Sequence, residues 1–341
     1  MYVIGSLPRL VACGRSALRL AVGTAVLVGC GGPPGLPTRR SPAPSAALPA
    51  LAAGSPAAPA PESELRVTAP RAGWALGSVS WAAADSNGLI YLLQRGDSAD
   101  PIVVVDREGG VVRSWGGGMF TVAHSIRVDP AGNVWTTDAH TSVVRKFSRH
   151  GTPLLRVDAG PTPAECTARR WRTCGTTDVA FAPNGHVLVT DGYWNARVLE
   201  FTADGRKVRE WGTKGSGPGE FNLPHSIVID SAGVVYVADR GNGRVQRFDL
   251  QGRFLGAWST DGDPYSLQLA AGAMWMGVLR QPGSAEREPT IVRADPGSGA
   301  ATARLRSAGG HGLGALPDGE QLLVPAGSRV FLLPTRTSPR R

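Results

Sequence analysis

One sequence pattern occurs six times along this chain, and the repetition limits the possible folds more than any other feature does. Equivalent positions fall at residues 79, 124, 177, 225, 265 and 311, so the copies recur every 40 to 53 residues. The clearest copies alternate short runs rich in Val, Ile, Phe and Trp with turns rich in Gly, Asn and Asp. Such runs are typical of antiparallel β-hairpins. A repeat of this length with four short strands predicts one blade of a β-propeller.

We therefore predict an all-β fold, a six-bladed β-propeller. The blades are expected at about 77–116, 121–157, 175–212, 222–258, 264–305 and 308–334. Because the sixth copy is short, we expect the segment ELRVTAP (64–70) to supply a strand that closes the ring and covers its open edges.

The N-terminus has the pattern of a secretion signal. Arg9, Arg15 and Arg19 precede the apolar stretch LAVGTAVLVG (20–29), which is too short to span a membrane as a permanent helix. The following LVGC sequence resembles the lipobox of bacterial lipoproteins, which implies cleavage before Cys30 and a lipid on its sulfur. The alternative is an ordinary secretory signal that is followed by a cysteine by chance.

A tract rich in Pro, Ala, Gly and Ser follows, with no pattern that could form a core. This composition is typical of a disordered, extended tether. We thus expect a signal peptide at 1–29, a tether at 30–62 with Cys30 lipidated, a propeller at 63–336 and a disordered tail at 337–341. The predicted location is the bacterial cell envelope outside the cytoplasm, with acyl chains as the membrane anchor.

The charge is strongly positive but scattered. Lys and Arg number 36 against 27 Asp and Glu, for a net charge of +9. No basic block or nucleic-acid motif accompanies this charge, so we expect no nucleic-acid partner. Scattered Arg beside abundant Ala, Gly and Pro indicates a GC-rich coding bias, the alternative being attraction to an anionic lipid surface or an acidic ligand.

Two cysteines remain after the signal and the lipidation site. Cys166 and Cys174 lie eight residues apart in the longest insertion between blades. Outside the cytoplasm such a pair most simply forms a disulfide that fixes a loop. A metal site with two thiolates is the alternative, but it lacks flanking ligands.

Three of the six histidines occupy one position of the repeat, in alternate copies. His124, His225 and His311 each precede a glycine by eight residues. The same position in the intervening copies holds Val79, Thr177 and Tyr265. In a ring of blades, every second blade would direct an imidazole toward the axis. This pattern predicts a metal site of three histidines.

Aspartates end one strand in three of the copies, at Asp138, Asp191 and Asp239. Because these are repeat positions, turn chemistry is the expected role.

Unusual residues follow these strands at the expected mouth of the axis. They are His140, Tyr193 and Arg240, with Arg95 in the matching stretch of the first blade. An arginine can bind a carboxylate through two parallel hydrogen bonds, and a tyrosine of lowered pKa can move a proton. Considered singly, a structural role is the expected one for each residue, with Tyr193 as a packing aromatic whose hydroxyl has a hydrogen-bond partner.

These residues lie in motifs that resemble a known family. LLQRGD (92–97), VAHSIRVD (122–129), TDGYWNARVLEF (190–201), GPGEFNLPHSIVID (217–230) and VADRGNGRVQRF (237–248) are similar to the peptidyl-α-hydroxyglycine α-amidating lyase domain, and more broadly to NHL-repeat propellers. The resemblance covers residues 77–258 well and the surroundings of His311 weakly. The framework motifs are shared by many scaffolds. More specific is the combination of six chemical residues, namely Arg95, His124, Tyr193, His225, Arg240 and His311.

The resemblance implies a chemistry for the site. His124, His225 and His311 would hold a catalytic Zn²⁺ with an open coordination position. Tyr193 would be the general base, kept partly ionised because Arg95 and Arg240 lower its pKa. Both arginines would also orient the carboxylate of an N-acyl-α-hydroxyglycine, which the family splits into an amide and glyoxylate. We expect a monomer that binds a small carboxylate-bearing amide or peptide.

The chain departs from the family at three places. Gly312 stands where the family has an aspartate that serves a structural Ca²⁺, which argues against a calcium site. The family partner of Cys174 is replaced by Trp194, so the resemblance leaves Cys166 as the partner. A second family disulfide is absent, with Tyr236 and Arg247 at its positions.

Two other functions compete with a lyase. One is a non-catalytic NHL-repeat propeller that binds a protein or an envelope ligand. The other is a different metal-dependent propeller hydrolase or lyase, which typically binds its metal with carboxylates and Asn as well as His. The propeller fold alone does not distinguish these functions.

Overall fold

The computed structural model of this chain describes residues 58–59, 62–160, 173–279 and 289–336. The predicted signal peptide, Cys30, most of the tether, Cys166 and the tail at 337–341 lie outside the described residues. No helix in the described part of the chain is long and apolar enough to cross a membrane.

The first three blades are regular four-stranded antiparallel sheets. Blade one contains β3 (Val79–Ala84), β4 (Ile90–Gln94), β5 (Ile102–Val105) and β6 (Val111–Trp115). Blade two contains β7 (Ala123–Val128), β8 (Val134–Asp138), β9 (Val143–Phe147) and β10 (Pro153–Asp158). Blade three contains β11 (Asp178–Phe181), β12 (Val187–Asp191), β13 (Arg197–Phe201) and β14 (Lys207–Trp211). Each sheet follows chain order.

The fourth and fifth blades repeat this order. Blade four contains β17 (Pro224–Ile229), β18 (Val235–Asp239), β19 (Arg244–Phe248) and β20 (Phe254–Ser259), with a 3-10 helix at Arg240–Asn242. Blade five contains β21 (Asp263–Ala270), β22 (Ala273–Leu279), β23 (Thr290–Ala294) and β24 (Ala301–Arg306). The short strand β1 (Ala58–Pro59) pairs with β24 in parallel. A small parallel pair, β15 (Thr213–Lys214) and β16 (Glu220–Phe221), connects blades three and four.

The N-terminal part of the propeller completes the sixth blade. This blade contains β25 (Gly314–Ala315), β26 (Gln321–Ala326), β27 (Arg329–Pro334) and β2 (Ser63–Leu65). Strand β2 pairs antiparallel with β27, with Leu65 opposite Val330. The six-bladed propeller and its closure by an early strand are thus confirmed. The closing strand spans 63–65 instead of 64–70, because Thr68 already bridges to Gly110 of blade one.

The hydrophobic core of the described part lies between the blades. It forms six apolar clusters, and each cluster joins two neighbouring blades. Between blades one and two, for example, Trp81 and Ile102 pack with Ile126, Val134 and Phe147. The second strand of each blade is therefore buried on both faces, as β4 and β12 show. The outermost strands alternate between covered and exposed side chains.

The glycine that follows each histidine by eight residues belongs to a tight turn. After β7, the carboxylate of Asp129 accepts backbone N–H groups from Ala131 at 3.0 Å and Asn133 at 2.8 Å. Gly132 closes this turn with φ of 82°, a conformation that a residue with a Cβ adopts only with strain. Gly233 repeats the turn in blade four with φ of 83°. These turns fix where the first strand of each blade ends.

Candidate metal centre on the propeller axis

The three repeat histidines meet at the axis, as predicted. His124 lies in β7, His225 lies in β17, and His311 precedes β25. The distances between their ring centroids are 4.8, 5.0 and 5.1 Å. One ring nitrogen from each histidine lies within 4.8 Å of the other two. In the described part of the chain, this is the one group of three such ligands close enough to share an ion.

A carbonyl from the intervening blade orients each imidazole. The Nδ1 of His124 lies 2.6 Å from the carbonyl oxygen of Thr177, and that of His225 lies 2.6 Å from the carbonyl oxygen of Tyr265. The Nδ1 of His311 lies 3.3 Å from the Ser80 carbonyl oxygen. Because a carbonyl can only accept, Nδ1 carries the proton and Nε2 keeps its lone pair. Metal-binding histidines are held in the same way in known sites.

All three histidines are neutral at pH 7. Burial lowers the pKa of His124 and His225 well below the usual 6.5, and the neighbouring histidines add to this effect. Burial, followed by the charge of Arg95, lowers the pKa of His311 to about 4. The neutral imidazole is the form that binds metal.

The donor set fits a tetrahedral metal with one open position. A zinc ion about 2.0–2.1 Å from each nitrogen requires nitrogens roughly 3.4 Å apart. The observed limit of 4.8 Å means that the widest pair must close by small side-chain rotations. The coarser prediction, that three histidines could form a metal site, therefore agrees with the geometry.

The hydroxyl of Tyr193 lies against two of the histidines. It is 3.0 Å from Nε2 of His124 and 3.2 Å from Nε2 of His225. The residue belongs to the turn after β12, where its backbone N–H donates to the carbonyl of Gly175. The turn therefore places the phenol on the open side of the three imidazoles.

The expected ionisation of Tyr193 is wrong for the protein without metal. Burial raises the pKa of the Tyr193 phenol to about 12, although Arg240 and Arg95 both act to lower it. The arginines are present as predicted, but the loss of hydration outweighs their charges. The phenol is therefore protonated at neutral pH.

The two predicted arginines flank the site from different blades. The guanidinium carbon of Arg240 lies over the ring of Tyr265, 3.7 Å from the ring centroid, and Arg240 donates a hydrogen bond to the Tyr265 hydroxyl. Arg95 follows β4, and its Nε donates to the Ala123 carbonyl at 2.7 Å. Both charges lower the pKa of the site histidines, which shows that both act on the site.

A cavity opens from Arg95 between blades one and two. It has a volume of about 860 Å³ and extends past Trp74 and Phe120, with Asp97 and Asp100 in its lining. Its lining also includes Ala123, which precedes the first site histidine. The volume falls within the range of small-molecule sites.

The axis beyond the histidines is filled by Arg127, three residues after His124. Its guanidinium binds both carboxylate oxygens of Asp178, at 3.1 and 2.7 Å, and donates to Gln268 at 2.8 Å. It also donates to the Leu267 carbonyl at 3.1 Å and lies 4.9 Å from the Trp81 ring centroid. This arginine therefore forms the floor of the site and links blade two to blades one, three and five.

Two of the three strand-end aspartates accept backbone N–H groups of loops and turns, as predicted, whereas Asp191 accepts from the side chains of Asn195 at 2.9 Å and Arg197 at 3.0 Å. Asp138 accepts the backbone N–H groups of Thr121 at 2.7 Å and His140 at 2.9 Å. Asp239 accepts from Asn222 at 2.7 Å and pairs with Arg244 at 2.7 Å. The contacts with Thr121 and Asn222 link each strand end to the loop that precedes the strand with the histidine.

The structure describes part of the region where the sequence departs from the family pattern. Cys174 is fully buried and disulfide-bonded, while its predicted partner Cys166 lies outside the described residues, so this pairing stays a prediction. A Cβ on Gly312 would lie 2.5 Å from the Ser80 oxygen and 2.7 Å from the Trp81 ring. An aspartate at this position would displace that carbonyl, while the doubt about calcium stays a prediction.

The role of Tyr265 at the site was not predicted from the sequence. This residue occupies the same repeat position as the histidines, in the blade between the second and the third of them. The signal was present, because this slot holds small or aliphatic residues in the other two intervening blades.

Comparison with known proteins agrees with the expected resemblance. A family model described as a 6-bladed beta-propeller matches residues 175–273. Peptidylglycine alpha-amidating monooxygenase of Rattus norvegicus is 32% identical over 203 residues, 50% of this chain and 20% of that protein. A probable peptidyl-alpha-hydroxyglycine alpha-amidating lyase of Caenorhabditis elegans is 36% identical over 43% of this chain and 42% of its own length.

NHL repeat-containing protein 3 of Homo sapiens is also similar, at 32% identity over 60% of this chain and 62% of its own length. This chain thus spans a fifth of the rat protein and less than two thirds of the human one. The predicted resemblance to amidating lyases and NHL-repeat propellers is confirmed over these parts.

Solved structures show the fold alone. A catalytically inactive virginiamycin B lyase from Staphylococcus aureus superimposes with a TM-score of 0.56 at 15% identity, covering 81% of this chain and 99% of that one. A putative gluconolactonase has a TM-score of 0.57 at 12% identity, covering 81% of this chain and 92% of its own.

Proposed function

We propose that this chain is a zinc-dependent lyase that cleaves the C–N bond of N-acyl-α-hydroxyglycine-like substrates, releasing an amide and glyoxylate. The observation that carries the proposal is the orientation of the three histidines. Each Nδ1 is tied to a carbonyl of the intervening blade, so three neutral Nε2 atoms face one another beside a phenol and two arginines. The similarity to amidating lyases supports this reaction.

His124, His225 and His311 would hold the metal through their Nε2 atoms. A zinc ion bound there supplies Lewis-acid chemistry that makes a bound hydroxyl more acidic. The chain provides the rest of the site. Its buried, neutral histidines leave a net positive charge from Arg95 and Arg240, which suits a substrate with a carboxylate.

The reaction moves one proton across the substrate. The substrate hydroxyl loses its proton and becomes the aldehyde oxygen of glyoxylate, while the C–N electron pair goes to nitrogen, which gains a proton. In the metal-free protein burial raises the pKa of Tyr193 to about 12, so this phenol is protonated at neutral pH. We therefore assign it the role of a proton relay, which donates its own proton to the leaving nitrogen as it receives the hydroxyl proton.

The cavity next to Arg95 supports an acyl group larger than a simple acid. With a volume of about 860 Å³, it can receive the benzoyl or peptidyl part of a substrate whose reacting carbon lies at the histidines.

Metal content and glyoxylate release together test the proposal. The protein is expressed without its signal and tether, loaded with zinc and analysed by ICP-MS, beside the double variant His124→Ala/His225→Ala. We expect about one zinc per chain in the wild type and none in the variant. We also expect glyoxylate from α-hydroxyhippurate with the wild type alone. No glyoxylate from a zinc-loaded wild type, with either a benzoyl or a peptidyl substrate, would contradict the lyase proposal.

A non-catalytic propeller is the second candidate. It is favoured by the similarity to NHL repeat-containing protein 3, which covers 60% of this chain, more than the 50% covered by the rat monooxygenase. In this case zinc would bind and raise the melting temperature, but no α-hydroxyglycine compound would be cleaved.

A further inference from the structure

Tyr265 connects the metal centre with the arginine that the proposed function assigns to the substrate. It lies in β21, the first strand of blade five, between the blades of His225 and His311. Its carbonyl accepts the Nδ1–H of His225 at 2.6 Å. Its ring lies 5.1 Å from the ring of His225 and 5.7 Å from that of His311, centroid to centroid. The side chain therefore forms one wall of the site.

The same side chain holds Arg240. The guanidinium carbon lies over the Tyr265 ring, 3.7 Å from the centroid, and one of the terminal nitrogens donates to the Tyr265 hydroxyl. Arg240 also forms a hydrogen bond with Tyr193 that acts to lower the pKa of that phenol. The guanidinium thus lies between two phenols that belong to different blades.

The ring face and the hydroxyl of Tyr265 contact Arg240 at two different points. The cation–π contact holds the guanidinium carbon over the ring, and the hydrogen bond holds one terminal nitrogen at the hydroxyl, so together they restrict the orientation of the guanidinium. A guanidinium has five N–H donors in a rigid fork, so contacts to two phenols leave donors for a carboxylate. Two parallel hydrogen bonds to a carboxylate require this fixed orientation.

We propose that Tyr265 is a positioning residue that holds Arg240 in the orientation needed to bind the carboxylate of the substrate. This inference rests on the proposed function and names the part of the substrate that the residue serves. Tyr265 itself acts through Arg240, so its loss weakens the recognition of the carboxylate more than it slows the bond cleavage.

The variant Tyr265→Phe tests the hydroxyl contact, because it keeps the ring and the backbone carbonyl that orients His225. The zinc-loaded protein is titrated calorimetrically with hippurate and, separately, with methyl hippurate, in which an ester masks the carboxylate. We expect Tyr265→Phe to bind hippurate about tenfold more weakly and methyl hippurate equally well. Zinc content by ICP-MS should be unchanged.

Turnover provides a second readout. For α-hydroxyhippurate, KM should rise about tenfold in Tyr265→Phe, while kcat changes by less than about threefold. The matched control is Tyr236→Phe, which removes a hydroxyl that donates to Asp230 at 2.9 Å on the neighbouring blade, away from the site. Hippurate affinity and KM should be unchanged in the control.

A double-mutant cycle shows whether the effect passes through Arg240. Arg240→Lys keeps the charge but has no planar fork, so adding Tyr265→Phe in this background should cost no further hippurate affinity. Equal losses for hippurate and methyl hippurate, or full additivity in the cycle, would overturn the proposal. An unchanged hippurate affinity in Tyr265→Phe would also overturn it.

A failure of the proposed function would give a different experimental result from a failure of the inference about Tyr265. A wild type that binds hippurate but releases no glyoxylate would refute the lyase, while the hippurate titrations would still decide the role of Tyr265. A zinc-loaded wild type that binds no hippurate would overturn the inference about Tyr265 directly.

Discussion

Arg127 and Asp178 form a two-point ion pair across the propeller axis, with nitrogen–oxygen distances of 3.1 and 2.7 Å. Asp178 is fully buried, and the Arg127 side chain is 11% exposed. Ser226 donates a further hydrogen bond to Asp178 at 2.7 Å. The pair therefore joins three blades next to the candidate metal centre, and its carboxylate is shielded from solvent.

Removing the arginine from this pair should destabilise the whole propeller. In Arg127→Met the buried carboxylate loses its cation, so we expect the free energy of unfolding to fall by about 3–5 kcal/mol, measured by urea denaturation. The matched control is Arg107→Met, which breaks an exposed pair with Asp318 and should cost less than about 1 kcal/mol. Similar losses in both variants would show that the axial pair has no special role.

Acid should destabilise the metal-free protein through the site histidines. Their folded-state pKa lies below the usual 6.5, so the unfolded chain binds more protons than the folded protein below that pH. The histidine contribution to stability is thus fully present above pH 6.5 and falls as the pH drops toward about 4, where His311 titrates.

The variant His311→Gln separates the effect of histidine protonation on stability from the effect of carboxylate protonation. Melting temperatures in EDTA at pH 7.5 and pH 5 should fall less for the variant than for the wild type, because the variant has one imidazole fewer to protonate. A parallel fall in both proteins would contradict the pKa shift of His311.

Tyr193→Phe should separate metal binding from turnover. The variant loses the hydroxyl that lies 3.0 Å from His124, but it keeps all three imidazoles and the carbonyls that orient them. We expect zinc content equal to that of the wild type and glyoxylate release reduced at least about 100-fold. Tyr91→Phe serves as the control, since its hydroxyl contacts Asp85 away from the axis. Full activity in Tyr193→Phe would exclude a proton relay at this position.

Much of this site could be predicted because a repeat fixes positions as well as strands. The first residues of each copy had to face the axis, so a histidine in every second copy, such as His124 and His225, implied convergence. The turn glycines and strand-end aspartates followed from the same alignment. Even the weak sixth copy placed His311 correctly.

The remaining features depend on distances that a repeat pattern does not contain. The pKa of Tyr193 is decided by burial against two nearby charges, and a sequence shows the charges without the burial. No role for Arg127 could be predicted from the sequence, because its partners Asp178 and Gln268 come from distant blades. The role of Tyr265 follows only from the guanidinium of Arg240, which lies over its ring in the folded protein.

Lipidation at Cys30 stays a prediction from the LVGC motif, and we propose it as the membrane anchor. In a bacterial host, the wild type should fractionate with membranes and extract into detergent, because two or more acyl chains anchor stably. Cys30→Ser should appear in the soluble extracytoplasmic fraction, while Cys13→Ser in the signal region should behave as the wild type. Membrane association of Cys30→Ser would contradict the anchor.

Gly312 protects the orientation of the third histidine. A Cβ at this position would lie 2.5 Å from the Ser80 oxygen, the atom that faces Nδ1 of His311. Gly312→Ala must therefore push that carbonyl away, and the loss of a hydrogen bond that orients a ligand histidine weakens metal binding about 10- to 100-fold. Competition with a chelator measures the zinc affinity, and circular dichroism checks the fold. Gly297→Ala is the matched control, because its nearest neighbour would lie at 3.4 Å, in a turn of blade five. If Gly312→Ala binds zinc as tightly as this control, the Ser80 carbonyl does not orient His311.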